Sequence, residues 1–84
     1  MDENALITQY IEENPRQPGP AGARLKDYGI EVWALIGYLR DAVHGDAAAA
    51  ARDYDIPPKA LSAAQAYYER HRAPIDGRIA WNAA

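Results

Sequence analysis

Residues 46–68 read DAAAAARDYDIPPKALSAAQAYY, and their spacing is that of two helices joined by a tight turn. Asp46 precedes an alanine run, and its carboxylate can accept hydrogen bonds from the free N–H groups of a first helical turn. Alanine is the strongest helix former, and Ala51 supplies the small side chain that two crossing helices need. Four residues on, Asp55 occupies the turn, where tolerance of unusual backbone angles is wanted. Ile56 follows as the apolar plug. Pro57 and Pro58 open the second helix, because first-turn N–H groups have no partner within the helix. Leu61, Ala64 and Tyr68 then recur at i, i+3 and i+7, which gives this helix an apolar stripe to lay on the first. The pattern is a helix-turn-helix.

Upstream, Val32, Leu35, Ile36 and Leu39 form an apolar face that Trp33 and Tyr38 broaden, so a preceding helix starts at Val32 and Gly45 caps it. Residues 14–22, NPRQPGPAG, hold three of the six prolines and two of the six glycines and must be a loop or extended arm. Before that loop, Ala5, Leu6, Ile7, Tyr10 and Ile11 suit a short amphipathic helix. Ile7, Gln9 and Ile11 equally suit one face of an edge strand, and pattern alone does not choose. Residues 23–32 alternate weakly through Leu25, Tyr28, Ile30 and Val32, as a short strand or lead-in kinked at Gly29 would. At the other end, Pro74 should interrupt the second motif helix and begin a final short helix over residues 74–81. The expected architecture is all-α, divided into an N-terminal arm (1–31), a helix-turn-helix core (32–73) and a C-terminal tail (74–84).

The chain has 84 residues, no cysteine and a net charge of −3. So small a domain buries only about 60% of its extended surface, so a dimer would help it. The small core and the cluster Val32, Trp33 and Ile36 suggest a homodimer, with strands at residues 10–13 or 25–32 pairing across a two-fold. An acidic balance argues against an obligate polyanion binder. Lack of cysteine removes disulfides and thiolate metal sites. The N-terminus, MDENALITQY, is not built like a signal peptide, and no run suits a membrane span, so a cytoplasmic protein is expected.

If the second motif helix enters a DNA major groove, Lys59, Ser62, Ala63 and Ala66 fall at base-facing positions, with Arg70 toward the backbone and Arg52 reaching a phosphate from the first helix. The set lacks the bidentate Arg or Asn that discriminates bases strongly. In the tail, Arg72 and Arg78 flank an apolar face of Ile75, Ile79 and Trp81, a composition suited to docking in a partner groove. Removal of residues 74–84 should then spare the fold. Catalysis finds no support: neither histidine has a ligand or nucleophile at useful spacing, and the pairs Glu12–Glu13 and Asp53–Asp55 read as a solvated face and a helix-ending turn. No cofactor or metal is expected.

The order YIEENP, a Pro/Gly-rich loop, ARLKDYGIEVWALIGYL and AAAAARDYDIPPKALSAAQAYYERHRAPIDGRIA resembles the small bacterial family called domain of unknown function four-three-three, over roughly residues 10–80. The family's strand usually ends in Gly-Thr-Arg-Ile-Pro-Val. Here residues 27–32 read DYGIEV, so Ile30 and Val32 match while the Thr and Arg are missing. The resemblance implies a homeodomain-like three-helix fold with an N-terminal pairing strand. It also implies an antitoxin of the VapB type, partnered by a PIN-like ribonuclease toxin. Arg72, Ile75, Arg78, Ile79 and Trp81 would then bind the toxin, with an arginine displacing metal from its catalytic carboxylates. Operator DNA is a candidate second partner. The alternatives are a stand-alone dimeric transcription regulator and a protein-interaction module without DNA binding.

Overall fold

A computed structural model describes residues 2–83. Among them the chain is mostly helical, with five α-helices and one two-stranded sheet. In order these are α1 (Glu3–Tyr10), β1 (Ile11–Glu12), a 3₁₀ turn (Pro20–Gly22), β2 (Arg24–Leu25), α2 (Val32–Asp41), α3 (Ala47–Tyr54), α4 (Pro58–Arg70) and α5 (Arg72–Ala83). None of these helices is long and apolar enough to cross a membrane.

The joint between α3 and α4 follows from its residues. Asp46 caps α3 by accepting from the Ala49 N–H at 3.1 Å. Asp55 ends it in the left-handed region (φ 56°, ψ 49°), and the Ile56 N–H returns to the Ala51 carbonyl at 3.0 Å. The Ala51 carbonyl thus accepts from both Asp55 and Ile56, which ties the residue after the turn back onto the helix end. This closure also drives Ile56 into the core, where Ala51 is buried as well. Pro57 caps α4 and Pro58 is its first residue. Upstream, α2 ends at Asp41, four residues before Gly45, because His44 and Gly45 both take positive φ. The Gly45 N–H still closes onto the Leu39 carbonyl at 2.7 Å.

The N-terminal segment adopts both conformations that its pattern allowed. α1 is capped by Asp2, then the chain turns extended at Ile11. β1 pairs antiparallel with β2, Ile11 opposite Leu25 and Glu12 opposite Arg24. An Arg24–Glu12 hydrogen-bonded ion pair at 2.6 Å reinforces the second position. After β2 the chain reverses through Asp27 and Gly29, both at φ 68°, and Ile30 bonds back to Leu25.

Residues 2–31 do not form the separate extended arm expected of them: Ile11, Ala23 and Leu25 join Val32, Leu35, Leu61 and Ile75 in one buried cluster, and α1 lies along α4. Nor does the cluster Val32, Trp33 and Ile36 offer an exposed pairing face, since Val32 and Ile36 are buried and only Trp33 is partly accessible. β1 and β2 pair with each other within the chain, and Arg24 of β2 also bridges to Glu31. The tail is likewise continuous with the core. The helix breaks at His71, three residues before the expected proline, and Pro74 sits in the first turn of α5, where it costs no hydrogen bond.

Candidate functional site

The face of α4 expected to read DNA is only partly available. Ala63 and Ala66 are 0% and 8% exposed, so neither reaches a groove, and both leave the candidate set. The reason is that α4 packs on two sides, against α1 as well as against α2 and α3. Lys59, Ser62 and Arg52 do face solvent, with Arg52 4.0 Å from Asp53. Arg70 is occupied: it donates to Asn4 and pairs with Glu3 at 3.2 Å, which ties the start of α1 to the end of α4. The cleft between those two helices is lined by Glu3, Leu6, Ser62, Gln65, Ala66 and Glu69, a surface with carboxylates at its edge. Arg70 and Arg72 pair with those carboxylates, so the cleft has no excess of positive charge to offer a phosphate.

The tail residues separate into two groups. Ile75 is fully buried and belongs to the core, which removes it from the partner-binding set. Arg72 pairs with Glu69 one turn earlier and lies 5.6 Å from the Tyr68 ring. Ile79 lines a groove between α2 and α5, while Arg78 and Trp81 lie on α5 outside its lining, joined to it through the Trp33 ring that Arg78 covers. Gly37 of α2 faces Ile79 of α5 there, with room for a methyl group in ordinary van der Waals contact at 4.0 Å. The Arg78 guanidinium lies between two indoles, 4.7 Å from the Trp33 ring and 5.1 Å from the Trp81 ring. Cation–π attraction suits that geometry. Its Nε is buried without a hydrogen-bond partner. Glu31 orients the other indole by accepting from Trp33 Nε1 at 2.6 Å. Trp81 remains 71% exposed.

The groove continues over Ala34, Tyr38, Asp41, Tyr54 and Asn82. Tyr38 and Tyr54 meet edge to face at 5.1 Å. Sequence reading reached Trp81 and Arg78 but missed Trp33, Gly37, Tyr38 and Tyr54 as their neighbours. A polar residue with aromatics on both sides of it leaves no local pattern when 44 residues intervene between Trp33 and Arg78.

Two tyrosine–aspartate bonds brace this region. Tyr38 donates to Asp53 at 2.6 Å, and Tyr68 donates to Asp76 at 2.7 Å while Arg40 approaches both. Each hydrogen bond, followed by burial, pushes its tyrosine above the ordinary value of 10.0. The fold therefore favours the neutral phenols. Their stabilisation is complete below the unfolded value near 10 and is lost as pH rises through the raised folded value. Urea midpoints should fall as pH rises above the ordinary tyrosine value of 10.0, and the double variant Tyr38→Phe/Tyr68→Phe should flatten that fall. An unchanged slope would mean that neither bond matters to the fold.

Among the described residues no three His, Cys, Asp or Glu side chains converge as a metal site would require. His71 stacks on Tyr67 at 4.4 Å between rings. In comparisons with known proteins, no family model, curated protein or solved structure matches the chain.

Proposed function

We propose that this chain is the antitoxin half of a type II toxin–antitoxin pair, acting in the cytoplasm to bind and neutralise a PIN-like ribonuclease. The observation that carries the reading is the exposed Trp81 with the indole-stacked Arg78 beside the groove between α2 and α5. A large aromatic held next to a partly desolvated guanidinium is the composition of an interface anchor. Arg78 and Ile79 complete the toxin-facing set; Arg72 lies at its margin. The scaffold in this reading is a homeodomain-like arrangement of α2, α3 and α4.

Autoregulation through operator DNA is the second limb of the proposal. It rests on the tight joint between α3 and α4 and on exposed Lys59, Ser62 and Arg52. The net charge of −3 and the carboxylates beside α4 make the toxin limb the stronger one.

The test is co-expression with a PIN-like ribonuclease encoded beside this gene. Trp81→Ala should weaken the complex by about 2 kcal/mol or more if the residue is a hot spot. Arg78→Ala should relieve inhibition of RNA cleavage even where some complex persists. Full neutralisation by both variants, or no complex with any adjacent ribonuclease, would overturn the reading.

A further inference from the structure

We infer that the groove between α2 and α5 receives a second copy of this chain about a two-fold axis, with Trp81 of each copy seated against Gly37, Tyr38 and Tyr54 of the other and Arg78 of each paired with Asp41 of the other. A two-fold contact uses the same patch twice, so the patch must hold both a projection and a recess and charges of both signs. This face does. Trp81 projects, 71% exposed, and the recess of about 370 Å³ lies beside it on the same pair of helices. Trp81 leans on the guanidinium of its own chain and does not line the recess.

The charges point the same way. Among the described residues Arg78 has no ion-pair partner, and its Nε is buried without an acceptor. Asp41, on the groove wall, is also unpaired. It is the last residue of α2, where the negative end of the helix dipole disfavours a carboxylate. A second copy brings each group its opposite. A standard interface covers about 800 Å² per partner, roughly a sixth of the 4940 Å² that this chain exposes. The alternative face, along α1 and α4, is edged by Glu3 and Glu69, which already pair with Arg70 and Arg72 and so leave a second copy no unmatched charge there.

The inference does not rest on the toxin reading, because it concerns this chain alone. If both hold, toxin and second copy exclude each other from the face. The experiment is sedimentation equilibrium of the full chain at tens to hundreds of micromolar. The wild type should be a dimer, and Trp81→Ala should raise the dimer dissociation constant at least tenfold while leaving the helical circular dichroism unchanged. Asp41→Arg alone sets Arg against Arg, and Arg78→Asp alone sets Asp against Asp, so each should be monomeric. An equimolar mixture restores both opposite-sign pairs and should recover the dimer. A monomeric wild type, a dimer indifferent to Trp81→Ala, or a mixture that stays monomeric while each variant is folded would overturn the inference.

Discussion

Replacing Ile75 by alanine is expected to cost about 2–5 kcal/mol, the range for truncating a large buried aliphatic side chain. A chain of this length has a total stability of roughly 4–13 kcal/mol, so one truncation removes a large fraction of it. Ile75 is fully buried in the first turns of α5, which packs on α2, on α4 and on the 3₁₀ turn at Pro20–Gly22. Deleting residues 74–84 would remove Ile75 and Ile79 together and open the apolar side of α2 to water. That protein should lose its cooperative urea transition, contrary to what the sequence pattern suggests for a detachable tail. Trp81→Ala is the internal control: in the single chain the side chain is mostly in water, so at concentrations well below those that favour self-association its midpoint should stay within about 0.5 kcal/mol of wild type. A truncated protein that still unfolds cooperatively near the wild-type midpoint would refute the placement of α5 in the core.

Gly22→Ala should destabilise by about 1–3 kcal/mol, the usual cost of forcing extra volume into a filled site. A methyl group built there would lie 2.1 Å from the Gln17 carbonyl oxygen and 2.5 Å from its Cβ. Backbone must move to admit it. Asn14 holds that loop in place, its carbonyl accepting from the Gln17 N–H and its Oδ1 from the Arg16 N–H, both at 3.0 Å. Gly77 supplies the opposite sign. It lies exposed within α5 with nothing near the position of an added methyl, so Gly77→Ala should stabilise by about 0.5–1 kcal/mol through helix propensity alone. Paired urea titrations of the two variants read both effects, and equal shifts of one sign would contradict this packing.

What the sequence revealed best was local. Asp46, Ala51, Asp55, Ile56, Pro57 and Pro58 occupy their expected roles because caps and turns depend on a few adjacent residues. The first eleven residues resisted a single assignment because Ile7 and Ile11 fit both periods, and the chain changes from helix to strand between them. The side of α4 that meets DNA was misjudged because alanine carries no sign of which neighbour it touches. Ala63 and Ala66 pass for surface on one helix period and are buried once α1 arrives from the far end of the chain. The groove was half legible: Trp81 and Arg78 stand out by residue type, whereas Trp33, Tyr38 and Tyr54 become its walls only when α2, α3 and α5 assemble.

The bond from Arg70 to Glu3 and Asn4 has a consequence for how the molecule is born. It spans 66 residues, and no residue of α1 is fully buried. An eight-residue helix is too short to persist alone. On the ribosome α1 emerges before the surface that holds it exists, and it must wait until α4 has been translated. The fold is thus latched on both sides of α4 only once α4 and α5 have been made. A chain stalled before α4 and α5 has no stable half to rest in, and α1 stays open to proteases until those helices arrive.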